Sequence, residues 1–169
     1  MNRIKSSLSG FLLCLGLSLP GFSVFSGNYY WVGNSGNWDD AAHWSATSGG
    51  IGGSGIPTLT DNVIFDHNSI WGKEAQISIK GPAQCNTFDA SGLTQAVVFN
   101  GSDEEELLIA SSFLLNANCH FEFPGKVRFV SSGNKVISTG GVELKCDLEF
   151  SGNRAEWKLL SALRMNNAT

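Results

Sequence analysis

The chain has 169 residues, the length of about one domain. Apolar residues make up 42% of it and charged residues only 15%, against roughly 25% charged in an average soluble domain. With 20 Gly, 11 Phe, 5 Trp and a net charge of −4, it is not a coiled coil, a charged disordered tail or a basic nucleic-acid binder, and the balance suits an all-β protein working outside the cell.

The first segment reads as an address. Arg3 and Lys5 are followed by an apolar run from Phe11 to Leu19, broken by Pro20 and Gly21, with Val24 and Ser26 at the −3 and −1 positions of a cleavage site. Residues 1–26 are therefore expected to be a secretory signal peptide. The apolar run is too short to cross ~30 Å of hydrocarbon as a helix. Cys14 follows Leu13 rather than a small residue, so no lipid anchor is read there. Losing Arg3 and Lys5 makes the remaining chain more acidic, which disfavours phosphate-rich partners. No later apolar run reaches spanning length, so the exported chain is expected not to be integral to the membrane and to bind no nucleic acid.

Residues 27–60 are rich in Gly, Asn, Ser and Trp, carry no charge before Asp39, and have turn signals throughout. They are read as a cap. From Asp61 to Thr169 short alternating strands are expected at 63–66, 76–80, 96–99, 119–123, 127–130 and 142–150. In the last, Val142, Leu144, Cys146, Leu148 and Phe150 share one face and Glu143, Lys145, Asp147 and Glu149 the other. Residues 155–163 fit a helix or another strand.

Three short stretches align as a repeat of apolar, acid, apolar, small or Pro, Gly. They are Phe88–Gly92, Phe121–Gly125 and Leu148–Gly152. Their unequal spacing suggests stacked coils with variable loops, in which one coil buries its apolar side only against the next. Glycine would supply positive φ at the corners. An ordinary β-sandwich is the alternative. Cys85, Cys119 and Cys146 form no even disulfide framework and lack zinc spacing with His43, His67 and His120. Cys119 and Cys146 precede equivalent positions of two repeat copies. They are the pair expected to stack about one strand spacing apart, as free thiols or as a disulfide.

The stretch Tyr29–Trp38 (YYWVGNSGNW), then His43-Trp44, Pro57-Thr58 and Asp61–Asp66 (DNVIFD), resembles the N-terminal region of large secreted surface proteins of the Bacteroidetes. Phe150-Ser151-Gly152-Asn153 and Glu156-Trp157-Lys158-Leu159 resemble a coil of the same family, so the likeness covers roughly residues 29–165. It implies a right-handed parallel β-helix, export, and display or release at the cell surface. Such proteins usually end in a sorting domain for type IX secretion. None is seen here, and Ala168-Thr169 stop within a repeat, so a longer gene product is expected.

Three constellations carry chemistry. Trp31, Trp38, Trp44 and Trp71 could form a sugar-stacking platform or an aromatic cap over the first coil. Asp39, Asp61 and Asp66 could offer oxygens to Ca²⁺, though Asp61 also suits a turn. Asp89, Glu122 and Glu149 would form an outward acidic column, either a solvated face or the paired acids of a polysaccharide-active enzyme. No nucleophile or phosphate-loop motif is present.

The expectation is therefore a secreted or cell-surface β-solenoid scaffold of adhesin type, with no catalytic activity and no resident cofactor other than the calcium just named. Its partners would be extracellular glycans or surface proteins, besides the secretion machinery. A glycan-binding module and a fragment of a polysaccharide-active enzyme are the rival readings.

Overall fold

The computed structural model describes residues 26–166. Except for Ser26, the expected signal peptide lies outside the described residues. The rest is an all-β solenoid of stacked coils, in which each strand except β3 pairs with its counterpart one coil away.

The first coil holds β1 (Asn28–Trp31) and β2 (Gly36–Asn37). A 3-10 turn (Ala41–His43) and β3 (Trp44–Ser45) follow. The second coil is β4 (Asn62–Ile64), β5 (Glu74–Ile79) and β6 (Ala83–Cys85). The third is β7 (Phe88–Asp89), β8 (Ala96–Gly101) and β9 (Glu106–Ile109). The fourth is β10 (Phe113–Leu114), β11 (Cys119–Phe121) and β12 (Lys126–Phe129). The fifth is β13 (Gly133–Ser138), β14 (Glu143–Leu144) and β15 (Asp147–Phe150). Strands β16 (Ala155–Leu159) and β17 (Arg164–Met165) begin another.

Three faces result. The first runs β16-β13-β10-β7-β4-β1-β3, the second β17-β14-β11-β8-β5-β2, and the third β15-β12-β9-β6. All pairs are parallel except β1 with β3, which excludes the β-sandwich. Strands β1 and β2 pair with β4 and β5 as a coil of their own, so the segment read as a cap contributes the first coil as well as its cover.

Parallel stacking puts like on like in the interior. On the first face Val63, Phe88, Phe113, Ile137 and Leu159 are successive register partners. On the second the partners are Ile77, Phe99, Phe121, Leu144 and Met165. On the third they are Cys85, Ile109, Phe129 and Phe150. Phe rings at 88, 99, 113, 121 and 129 are fully buried or nearly so. Burying each stabilises the fold by about 1.5–3 kcal/mol relative to leaving it exposed.

The repeat differs from the one read in the sequence. From β4 onward, register partners lie between 20 residues apart (Ile109 and Phe129) and 25 (Val63 and Phe88). Phe88, Phe121 and Leu148 stand on the first, second and third faces, so aligning them matched strands that never stack. Every face shows the same inward–outward alternation, and the pattern alone does not say which face a strand joins. The acidic column dissolves for the same reason. Asp89, Glu122 and Glu149 lie on different sides of the coil.

The nine-residue strand expected at 142–150 is β14 and β15 with a corner between them. Val142, Leu144 and Cys146 still point inward across that corner, which hid it in the sequence. Residues 155–159 form a strand rather than a helix. Gly92, Gly125 and Gly152 are not among the positive-φ residues, contrary to their expected role. Gly125 is needed for close approach instead: a Cβ there would collide with the Glu105 carbonyl oxygen of the coil beneath and with the Phe123 ring.

Candidate functional site

The aromatic residues near the N-terminus separate into two groups. Trp31, Trp38 and Trp44 are fully buried, whereas Trp71 is 72% exposed. Trp44 crosses both Trp31 and Trp38 edge-to-face at 5.0 Å, and Trp31 stacks on His43 at 4.7 Å. His43 is held through Nδ1, 2.8 Å from the Val32 carbonyl. The cluster continues through Phe65 into the phenylalanine column. As sugar platforms Trp31, Trp38 and Trp44 are therefore corrected: no ring face of theirs reaches solvent. They seal the end of the interior, and β3 covers the edge of β1. Only Trp71 keeps a face free. Its backbone N–H donates to Asn34 Oδ1 at 2.7 Å, which ties its loop to the first coil.

The three aspartates have separate tasks. Asp61 is buried and accepts three hydrogen bonds: Gly27 N–H at 2.9 Å, Thr58 N–H at 2.9 Å and Thr58 Oγ1–H at 2.6 Å. Asp66 accepts from Ser48 Oγ and from the Asn68 backbone N–H. Asp39 packs beside Gly81. Among the described residues no group of three or more His, Cys, Asp or Glu side chains is gathered as a metal site. Ca²⁺ needs six to eight oxygens around one point, and these carboxylates are engaged at different corners.

The outward acids meet cations on neighbouring coils. Arg128 on β12 lies between Glu106 of β9 (Nη2 to Oε1, 2.9 Å) and Glu149 of β15 (Nε to Oε1, 3.0 Å, without hydrogen-bond alignment). Lys126 Nζ is 3.2 Å from the second oxygen of Glu149. On the second face Lys145 donates to Glu122 at 2.5 Å. That hydrogen bond and the adjacent negative charge raise the Lys145 ammonium above the usual lysine value. Parallel register creates these ladders by setting Lys126 and Arg128 beside Glu106, Asp147 and Glu149. The basic partners are dispersed along the chain and become neighbours of the acids only through this register. All these pairs are partly exposed, so each contributes little to stability.

The outer surface of the second face is mostly polar. Gln76, Val98 and His120 form one outward row, and Ser78 and Asn100 start another. A shallow groove of about 270 Å³ lies at its C-terminal end, lined by His120, Glu122, Gly141 and Glu143 among others. Trp71 lies in the loop before β5, tied to Asn34 just ahead of β2.

Cys85, Cys119 and Cys146 are buried and free. Cys119 pairs in register with Val97 on the second face, whereas Cys146 stands at the corner before β15. The expected Cys119–Cys146 stack is corrected, because the two belong to different faces. Burial pushes the Cys119 thiol up to about 11 and Cys146 to about 12, and raises Cys85 further. Such thiols are not nucleophiles at neutral pH.

Asparagines were missed as structural residues. Asn62 Nδ2 donates to Asn28 Oδ1 and Asn86 Nδ2 to Asn62 Oδ1, one coil to the next. Asn116 Nδ2 donates to the carbonyls of Ser91 and Leu93. The spacing of Asn62 and Asn86, 24 residues and so one coil, was the available signal. Comparison with protein-family models, with curated protein sequences and with solved structures found no match for this chain.

Proposed function

We propose that the chain is a secreted, cell-surface β-solenoid scaffold of adhesin type, without catalysis of its own. The observation that carries this reading is the pairing of outward carboxylates with cations one coil away: Glu106 and Glu149 with Arg128, Glu122 with Lys145. Glycosidase chemistry needs two carboxylates free to flank one sugar bond, and each of these is instead held on a cation of a neighbouring coil. The leader-like segment 1–26 and the family resemblance of residues 29–165 support export and display. The test is protease treatment of intact cells followed by detection of the chain, with activity measured on a broad polysaccharide panel. Cleavage at the surface with no turnover is expected. Retention in the cytoplasm, or turnover lost in Glu122→Gln, would overturn the reading.

One observation favours a second reading. Trp71, 72% exposed on the loop before β5, suits stacking on the C–H face of a sugar. Saturable glycan binding lost in Trp71→Ala, with Trp44→Phe still binding, would assign that role.

A further inference from the structure

We propose that leader removal between Ser26 and Gly27 frees an α-ammonium group that pairs with the buried carboxylate of Asp61, so that the first coil is locked only in the exported chain. The proposal rests on the export reading above, in which Val24 and Ser26 place the cut at this bond.

Two independent observations meet at one residue. The sequence makes Gly27 the first residue after the cut. Among the described residues Gly27 is also the first anchored to the next coil. Its N–H donates to Asp61 Oδ1 at 2.9 Å, and its carbonyl accepts from the Asn62 N–H at 2.8 Å. Ser26 before it is exposed.

Asp61 is 6% exposed, and the donors it meets, on Gly27 and Thr58, are all neutral. Among the described residues no Lys, Arg or His pairs with it. A buried carboxylate is costly unless a positive charge offsets it. Gly27 suits the contact. A Cβ there would stand 3.1 Å from Asp61 Oδ1 and 3.1 Å from the Tyr29 ring, so a residue without a side chain brings its nitrogen closest to the carboxylate.

Hydrolysis by the exporting cell's leader peptidase consumes one water. The Ser26 carbonyl carbon takes the oxygen and leaves as a carboxylate, and the Gly27 nitrogen takes up protons and becomes an ammonium. The N–H already in place is then one of three donors on a positive charge. A charge-assisted bond of this kind is roughly twice as strong as the neutral one it replaces. While the leader is attached, the same nitrogen is a neutral amide and the lock is absent.

Urea denaturation of the exported chain tests this. The full chain is expressed in a bacterium and recovered after export, and mass spectrometry reads its N-terminus, expected at Gly27. A second form carries one Ala inserted between Ser26 and Gly27, so that the cut leaves the ammonium one residue away and Gly27 an amide. The parent should fold with an equilibrium constant about fivefold or more above that of the inserted form. In an Asp61→Asn background the two forms should be equal. A pH series serves where Asp61→Asn does not fold. The parent's advantage should be fully present at about pH 7, below the unfolded α-amino value of about 7.7–8.0, and vanish as pH rises through the higher folded value. Asp61 and Tyr29 are the titratable side chains facing the group, and both forms carry them, so their own titration cancels. Retention in the cytoplasm overturns the export reading and this proposal together. An exported chain that begins elsewhere than Gly27, or equal stability of the two forms at pH 7, overturns this proposal alone.

Discussion

Trp44 donates its indole N–H to the Trp38 carbonyl at 2.7 Å, whereas the Nε1 of Trp38, equally buried, meets no acceptor among the described residues. The two indoles touch edge-to-face in the same cluster. Replacing either by Phe removes the same atoms and leaves a similar cavity. The difference between the variants is the hydrogen bond. Trp44→Phe is expected to cost about 1 kcal/mol more than Trp38→Phe. Urea denaturation of the two variants side by side checks the order, and equal midpoints would remove the distinction.

Asp61 anchors the return from the long first loop. Its carboxylate holds the N–H of Gly27, 34 residues earlier, and both donors of Thr58. Asp61→Ala leaves buried donors unpaired and should destabilise by about 2–3 kcal/mol. Added Ca²⁺ should not raise the thermal midpoint of the parent chain. A calcium-dependent rise abolished in Asp61→Ala would restore the metal reading.

Gly125 lies where two coils touch. Its carbonyl accepts from the Asp147 N–H above, and the Glu105 carbonyl accepts from the Lys126 N–H below. A methyl group there pushes those coils apart, so Gly125→Ala is expected to cost about 1–3 kcal/mol, in the range of an overpacked interior. Gly72→Ala, with no close neighbour except a carbonyl at 3.9 Å, is the control and should be close to neutral. Thermal melts of both distinguish close approach from a general loss of backbone freedom.

The buried thiols make stability pH-dependent. Burial raises the folded-state values of Cys119 and Cys146 to about 11 and 12, above the unfolded thiol value of about 8.5. The unfolded chain therefore releases these protons first. Their contribution is fully present below about pH 8.5 and is lost as pH rises toward the folded values, by at most about 1.4 kcal/mol per pH unit per thiol. Denaturation midpoints should fall between pH 8 and 10 as numbered by that window, and less steeply in a Cys119→Ala/Cys146→Ala double variant. Alkylation at pH 8 should modify none of Cys85, Cys119 and Cys146 until the chain is unfolded.

Much of the architecture was legible because each inward residue obeys a local rule. Val142, Leu144 and Cys146 alternate with Glu143 and Lys145, and that alternation says which side is buried. It does not say where the chain turns. The corner between β14 and β15 passes without a break in the pattern, so two strands read as one. The same degeneracy misaligned Phe88, Phe121 and Leu148. The Trp residues were recognisable as a group, but their accessibilities were not. Trp31, Trp38 and Trp44 are buried through partners distant in sequence, such as Phe65 and Phe88, while Trp71 has none of these.

The sequence by itself determined the all-β class, the solenoid logic and the outward placement of the acids, because side-chain alternation along a strand follows from backbone geometry alone. Only the tertiary structure decided the 20–25-residue register, and with it which side chains become neighbours. Glu106, Arg128 and Glu149 are ordinary surface residues in the chain and a charge ladder in the fold. Parallel stacking sets residues a full coil apart side by side, and the length of each coil depends on corners whose signal is too weak to read from one strand.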